Sequence, residues 1–224
     1  MAQPDRSVRV ITLDGLAATG KSALATLLGN KLEWNILYSG LLYRYIAFCA
    51  LREGNAAEID RLNPSWLSDL ASISQSTYEG QNQIWVNGEN YTETLQQEKV
   101  ARMASILAQR QSLREDMIAI QRQYKQAPGL VAEGRDMASV IFPEAVCKVF
   151  LHASVAVRAQ RRYKQLIMSG NNVKIADIEH SIEKRDHSDK TRTECALRAK
   201  GAVVISTDNL SLEQTMQAIL GHLA

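Results

Sequence analysis

The stretch GLAATGKS, Gly15 to Ser22, decides the fold. It fits the phosphate-loop pattern G-x-x-x-x-G-K-[ST], and its flanks supply the context that gives the pattern meaning. Before it, Val8 to Leu13 is a short β-branched run that ends in Asp14-Gly15, which predicts a buried strand closing in a turn. After it, SALATLLGNKL carries apolar residues at helical spacing. Strand, glycine loop and helix in that order suit phosphate. Gly15 and Gly20 let backbone N–H groups turn inward, and the helix N-terminus adds partial positive charge. Lys21 brings a point charge to the β- and γ-phosphates, and Ser22 offers a hydroxyl to Mg2+. A nucleoside triphosphate is the expected ligand. A regulatory GTPase would need a guanine-reading Asn-Lys-x-Asp, whereas Asn30-Lys31 is followed by Leu32-Glu33.

Working outward, Trp34 to Tyr38 predicts a second strand, and Ser39-Gly40 opens a helix that stops at Gly54. Between about 64 and 97 the texture changes. QIWVNGENY places Asn87-Gly88 between strand-like runs, the strongest short hairpin signal, so a small antiparallel insert is expected there. Glu98 to Tyr124 returns to helical spacing, and Pro128-Gly129 breaks it. Leu130 to Glu133 and Val146 to His152 read as strands, Val155 to Ser169 as an Arg-rich helix, and Ile178 onward as another. Ala202 to Ser206 is a last strand, and Ser211 with Gln214 predicts a capped C-terminal helix. Strands alternating with helices predict an α/β fold: a central parallel sheet flanked by helices, interrupted by the antiparallel insert.

Composition narrows the class. Of 224 residues, 46% are hydrophobic and 22% charged, which is globular. A formal net charge of +2 gives no basic field of the kind nucleic-acid proteins carry. Cys49, Cys147 and Cys195 are scattered and odd in number, and the four histidines lack ligand spacing. Neither a signal core nor a membrane span is visible in the sequence, so a cytoplasmic chain is expected. No exposed apolar repeat points to an obligate oligomer, so a monomer is expected.

Three further segments bear on a phosphoryl acceptor. YSGLLYR, Tyr38 to Arg44, puts Ser39 at a strand end and Arg44 about one turn into the next helix. EGRDMASVIFP, Glu133 to Pro143, places Arg135 and Asp136 at the carboxyl end of a strand, where parallel sheets bind ligands. In SIEKRDHSDKTRTE, Arg185, Asp189 and Arg192 fall at i, i+4 and i+7, one face of a helix. Taken alone, that stripe reads first as a solvated face with side-chain ion pairs, and only second as a clamp for a phosphorylated ligand.

Together these segments resemble the bacterial cytidylate kinases, a branch of the nucleoside monophosphate kinases. The likeness runs through ITLDGLAATGKS, YSGLLYR, the insert with its NG hairpin, GLVAEGRDMASVIFP, RAQRRYKQL, KRDHSDKTR and VVISTDNLSLEQ. It implies a P-loop kinase domain over 1–224 with a monophosphate-binding insert over 64–97 and Arg-rich lid and clamp helices over 158–192. It also implies Mg2+-dependent phosphoryl transfer from ATP to CMP or dCMP. Gly15, Leu16, Ala17, Ala18, Thr19, Gly20, Lys21, Ser22 and Ala23 would bind ATP, with Ser22 on Mg2+. Ser39 would lie near the acceptor, with Arg44, Arg135 and Arg192 on its phosphate. Ser105, Arg114 and Asp136 would read cytosine, and Arg185 and Asp189 would hold the sugar hydroxyls. Lys21, Arg135, Arg158 and Arg162 would meet the charge of the transferred group, Arg158 and Arg162 from the lid together with Arg161.

The chain departs from the family pattern at Ala23, where Thr is usual, and at Gln96, where Arg is usual. Ser188 and Lys190 replace typical arginines, and GRDMGT becomes GRDMAS. Two other readings compete. A UMP, AMP or shikimate kinase would lack the GRD block and clamp helix together. An ATP-binding regulator without turnover would be consistent with the changes at Ala23 and Gln96.

Overall fold

The computed structural model describes residues 8–54, 58–78, 81–168, 170, 172–191 and 199–223. The chain forms two compact units, one of Met1–Asn35 with Gln126–Ala224 and the other of Ile36–Lys125.

The first unit is built on strand β1 (Arg9–Gly15), buried from Val10 onward. Strand β2 (Asn35–Tyr38) leads out of this unit. The later strands are β6 (Gly129–Gly134), β7 (Cys147–His152) and β8 (Val203–Ser206). The sheet order is β2-β6-β1-β7-β8, and β1 pairs in parallel with both β6 and β7. Strands buried on both faces read as the continuous apolar runs seen in the sequence. Helix α1 (Lys21–Leu32) lies on β1 and β6 and meets α9 (Leu212–Leu220). The capping box expected of Ser211 and Gln214 is formed: the Gln214 N–H donates to Ser211 Oγ, and the Ser211 N–H donates to Gln214 Oε1.

Helices α7 (Val155–Met168) and α8 (Ile175–Thr191) form the Arg-rich pair of this unit. Ala159, Ile178 and Ile182 make a small core, with Tyr163 and Leu166 against it. A buried ion pair ties the two helices: Arg158 Nη1 and Nη2 donate to Asp186 Oδ1 and Oδ2 at 2.9 and 2.6 Å. Paired and fork-shaped, the charges tolerate burial, but either one alone would not.

The second unit carries the antiparallel sheet, β3 (Ser74–Tyr78), β4 (Gln81–Val86) and β5 (Glu89–Asn90), inside the 64–97 stretch. Asn87 and Gly88 both have positive φ, 50° and 80°, as a two-residue hairpin loop of the NG type requires. Around this sheet the compact unit runs wider than the hairpin. It also holds α2 (Ser39–Glu53), α3 (Leu67–Ser72), α4 (Thr92–Gln96), α5 (Glu98–Leu107) and α6 (Gln111–Arg122). Phe48 and Tyr91 meet edge to face at 5.7 Å, and Tyr45 and Tyr91 do so at 6.1 Å.

Two stability predictions follow from the first unit. A Cβ on Gly129 would lie 2.2 Å from the Trp34 ring, so Gly129→Ala should cost about 1–3 kcal/mol in urea unfolding. Asp186→Ala strands the buried Arg158 and should cost about 3–5 kcal/mol, whereas Arg158→Met combined with Asp186→Leu should recover most of the loss. Equal stability of Asp186→Ala and wild type would show that the pair contributes nothing.

Candidate active site

The phosphate loop lies between β1 and α1. Gly15 has φ 149°, and a Cβ there would come within 2.4 Å of the Leu151 carbonyl oxygen on β7, so only glycine fits. Gly20, at the helix N-cap, has φ 95°. No side chain caps α1, and its first turn holds no acid. Its leading N–H groups and its positive dipole end are left for an anion. Lys21, 5% exposed, donates to the Leu16 carbonyl at 2.6 Å and to Thr19 Oγ1 at 3.3 Å. Burial, helped by the nearby Arg135 charge, pulls its ammonium down to about 7. A phosphate beside it would oppose both effects.

Two carboxylates stand beside this loop. The Ser22 hydroxyl donates to Glu133 Oε1 at 3.1 Å, and Glu133, next to last in β6, lies opposite Leu13 in register. Asp14, the residue before the loop, accepts from the N–H groups of Met137 and Ala138, both at 2.8 Å. Burial pushes the Asp14 carboxyl up to about 7, against the pull of those two N–H groups.

Arg135 and Asp136 follow β6, as the sequence predicts. Arg135 Nε donates to Asp189 Oδ2 at 2.8 Å, and Asp189 is buried. Two expected site residues from segments far apart in the chain are thus brought together. Arg185 lies one turn before Asp189 on α8 and is half-buried; Arg192 lies outside the described residues. Asp186 and Asp189 of α8 therefore hold two arginines from two different elements, Arg158 and Arg135.

Two α7 arginines, Arg158 and Arg161, reach carbonyls of the phosphate loop. Arg158, besides its bond to Asp186, donates to the carbonyls of Ala153 at 3.0 Å and Ala17 at 3.4 Å. Arg161 donates to the Thr19 carbonyl at 3.3 Å and to Thr207 Oγ1 at 2.9 Å. Arg162 is half-buried one turn beyond Arg158. In this arrangement Arg158 braces the loop from behind.

The second unit carries the remaining expected residues. Ser39 is buried at the start of α2, and Arg44, further along that helix, donates to the Leu95 carbonyl at 2.5 Å. Ser105 sits half-buried on α5, which packs on α2, and Arg114 half-buried on α6.

Sequence reasoning gives Glu133, Asp186 and Asp14 no role in the site. Glu133 had a readable signal, an acid at the carboxyl end of a core strand; the other two had none, because their partners are set by packing. Among the described residues no cluster of three or more His, Cys, Asp or Glu side chains could hold a metal alone. Among them, too, no helix is long and apolar enough to cross a membrane.

A family model described as cytidylate kinase matches residues 11–224. A cytidylate kinase of Polynucleobacter necessarius subsp. necessarius (strain STIR1) is 40% identical, covering 94% of this chain and 96% of its own. A cytidylate kinase of Stutzerimonas stutzeri (strain A1501) is 38% identical, over 98% and 96%. Among solved structures, a gluconokinase from Sinorhizobium meliloti 1021 aligns over 97% of this chain and 91% of its own at 11% identity, with a TM-score of 0.45. That likeness is too distant to bear on activity. The family match takes in the phosphate loop, the GRD segment and the Arg-rich helices, and the chain belongs to the cytidylate kinase family.

Proposed function

We propose that this chain is a cytidylate kinase, transferring the γ-phosphoryl group of ATP to CMP or dCMP to give CDP or dCDP and ADP, in pyrimidine nucleotide metabolism. The observation that carries the proposal is the pairing of Arg135 with Asp189 in the unit that bears an anion-ready phosphate loop. Membership of the cytidylate kinase family supports the same acceptor.

An oxygen of the acceptor phosphate attacks the γ-phosphorus as the bond to the ADP oxygen breaks. The attacking oxygen is already anionic, so catalysis rests on alignment and charge neutralisation. Lys21 meets the phosphate charge, and its depressed pKa rises as it does so. Arg44, Arg135 and Arg192 hold the acceptor phosphate, because a planar guanidinium meets two oxygens at once. Asp136, with Ser105 and Arg114, selects cytosine, since a carboxylate accepts from its amino group and finds no donor on a uracil carbonyl. Arg185 and Asp189 take the sugar hydroxyls. Arg162 serves the transferred group from α7, and Arg158 joins it only by leaving Asp186.

The residues present suit Mg2+: a hydroxyl and a carboxylate, both hard oxygen donors, meet at 3.1 Å at Ser22 and Glu133. When bound, Mg2+ neutralises phosphate oxygens of ATP. Ser22 and Glu133 would hold it in place. We further propose a cytoplasmic monomer in which the 158–192 helices close over ATP and exclude water.

ADP release measured with Mg-ATP against CMP, dCMP, UMP and AMP should be fast with the first two and slow with the others. Turnover confined to UMP or AMP would overturn the roles of Ser105, Arg114 and Asp136, and no turnover at all would favour the regulator reading. Glu133→Gln should raise the Mg2+ concentration for half-maximal rate at least tenfold, while CMP binding without nucleotide stays within about twofold, as metal binding is sensitive to ligand charge. An unchanged Mg2+ titration would remove Glu133 from the metal site.

A further inference from the structure

We infer that Asp14 is a positioning residue for base selection: it holds both ends of the two-residue segment Arg135-Asp136. The backbone of Asp14 is in parallel register with Gly134, the residue before that segment. Its side chain accepts the N–H groups of Met137 and Ala138, the two residues after it, each at 2.8 Å. One residue thus brackets Arg135 and Asp136 from both sides, across 123 residues of sequence.

The segment needs such a bracket. Met137–Ile141 is a π-helical turn, a rare form whose leading N–H groups have no partner within it. Its N-cap, Asp136, uses no side-chain cap bond, and its carbonyl already accepts from Val140 and Ile141. Asp14 supplies the capping from a neighbouring strand. Asp14 is 2% exposed and Met137 fully buried, so these N–H groups are shielded from bulk solvent and need a partner in the protein.

The inference rests on the proposed reading of cytosine by Asp136. In Asp14→Asn, one of the two acceptor oxygens becomes an NH2 group facing a backbone N–H, donor against donor. Displacements of this kind near a reacting or recognition group can cost about 100-fold.

The test compares kcat/KM for CMP with kcat/KM for UMP, a ratio in which the folded fraction of enzyme cancels. In Asp14→Asn the ratio should fall at least tenfold relative to wild type, with KM for ATP within about twofold. If that variant does not fold, Asp14→Ser, whose hydroxyl keeps one acceptor, is read by the same ratio. A loss of rate with an unchanged CMP-to-UMP ratio would mean a merely structural role and overturn the inference. A wild-type enzyme that does not prefer CMP to UMP would overturn the reading of Asp136, and the inference with it. The first failure is seen only in the variant and the second already in the wild type.

Discussion

A loop that presents its backbone N–H groups to an anion must turn its carbonyls elsewhere, and those carbonyls must be satisfied. Much of the first unit is arranged around that constraint. The Leu16 carbonyl is taken by Lys21 and Thr19, that of Ala17 by Arg158, and that of Thr19 by Arg161 and Thr207. The donors come from the loop, from α7 and from the end of β8. Each is held in turn: Arg158 by Asp186, and Thr207 by the backbone of His152. The phosphate loop is thus one end of a network that runs through Arg158 to Asp186 and through Thr207 to His152.

The same network makes α8 more than a cover. Its two buried acids, Asp186 and Asp189, stand one turn apart and grip arginines from α7 and from the segment after β6. A shift of α8 therefore acts on the back of the phosphate loop through Arg158 and on Arg135 through Asp189. Buried charge pairs resist partial rearrangement, since separating them exposes each to an unpaired state in low dielectric. Moving α8 away from either arginine would break a buried ion pair.

Much of the fold was legible in the sequence because its signals are local. The phosphate loop, its helix, the NG hairpin and the Ser211 capping box each depend on a few neighbouring residues, and each formed where expected. The short α3 and the π-helical turn after Asp136 were not foreseen. The π-helical turn follows from a cap supplied by Asp14 on another strand, which no window of sequence contains. The stripe on α8 was visible as a pattern, but the partner of Asp189, Arg135 from another element, was not.

By itself the sequence determined which chemistry the chain carries: a glycine loop with Lys and Ser for phosphate, and arginines and acids grouped at predicted strand ends and on one helix face. Backbone conformation and side-chain type set those features, and both are written locally. Only the tertiary structure decided which acid serves which partner. Ser22 meets Glu133 across 111 residues, Asp14 meets Met137 across 123, and Arg158 meets Asp186 across 28. Those pairings depend on the parallel register of β1 with β6 and on the packing of α7 against α8. Register and packing come from burying whole apolar faces together, so no single residue announces them.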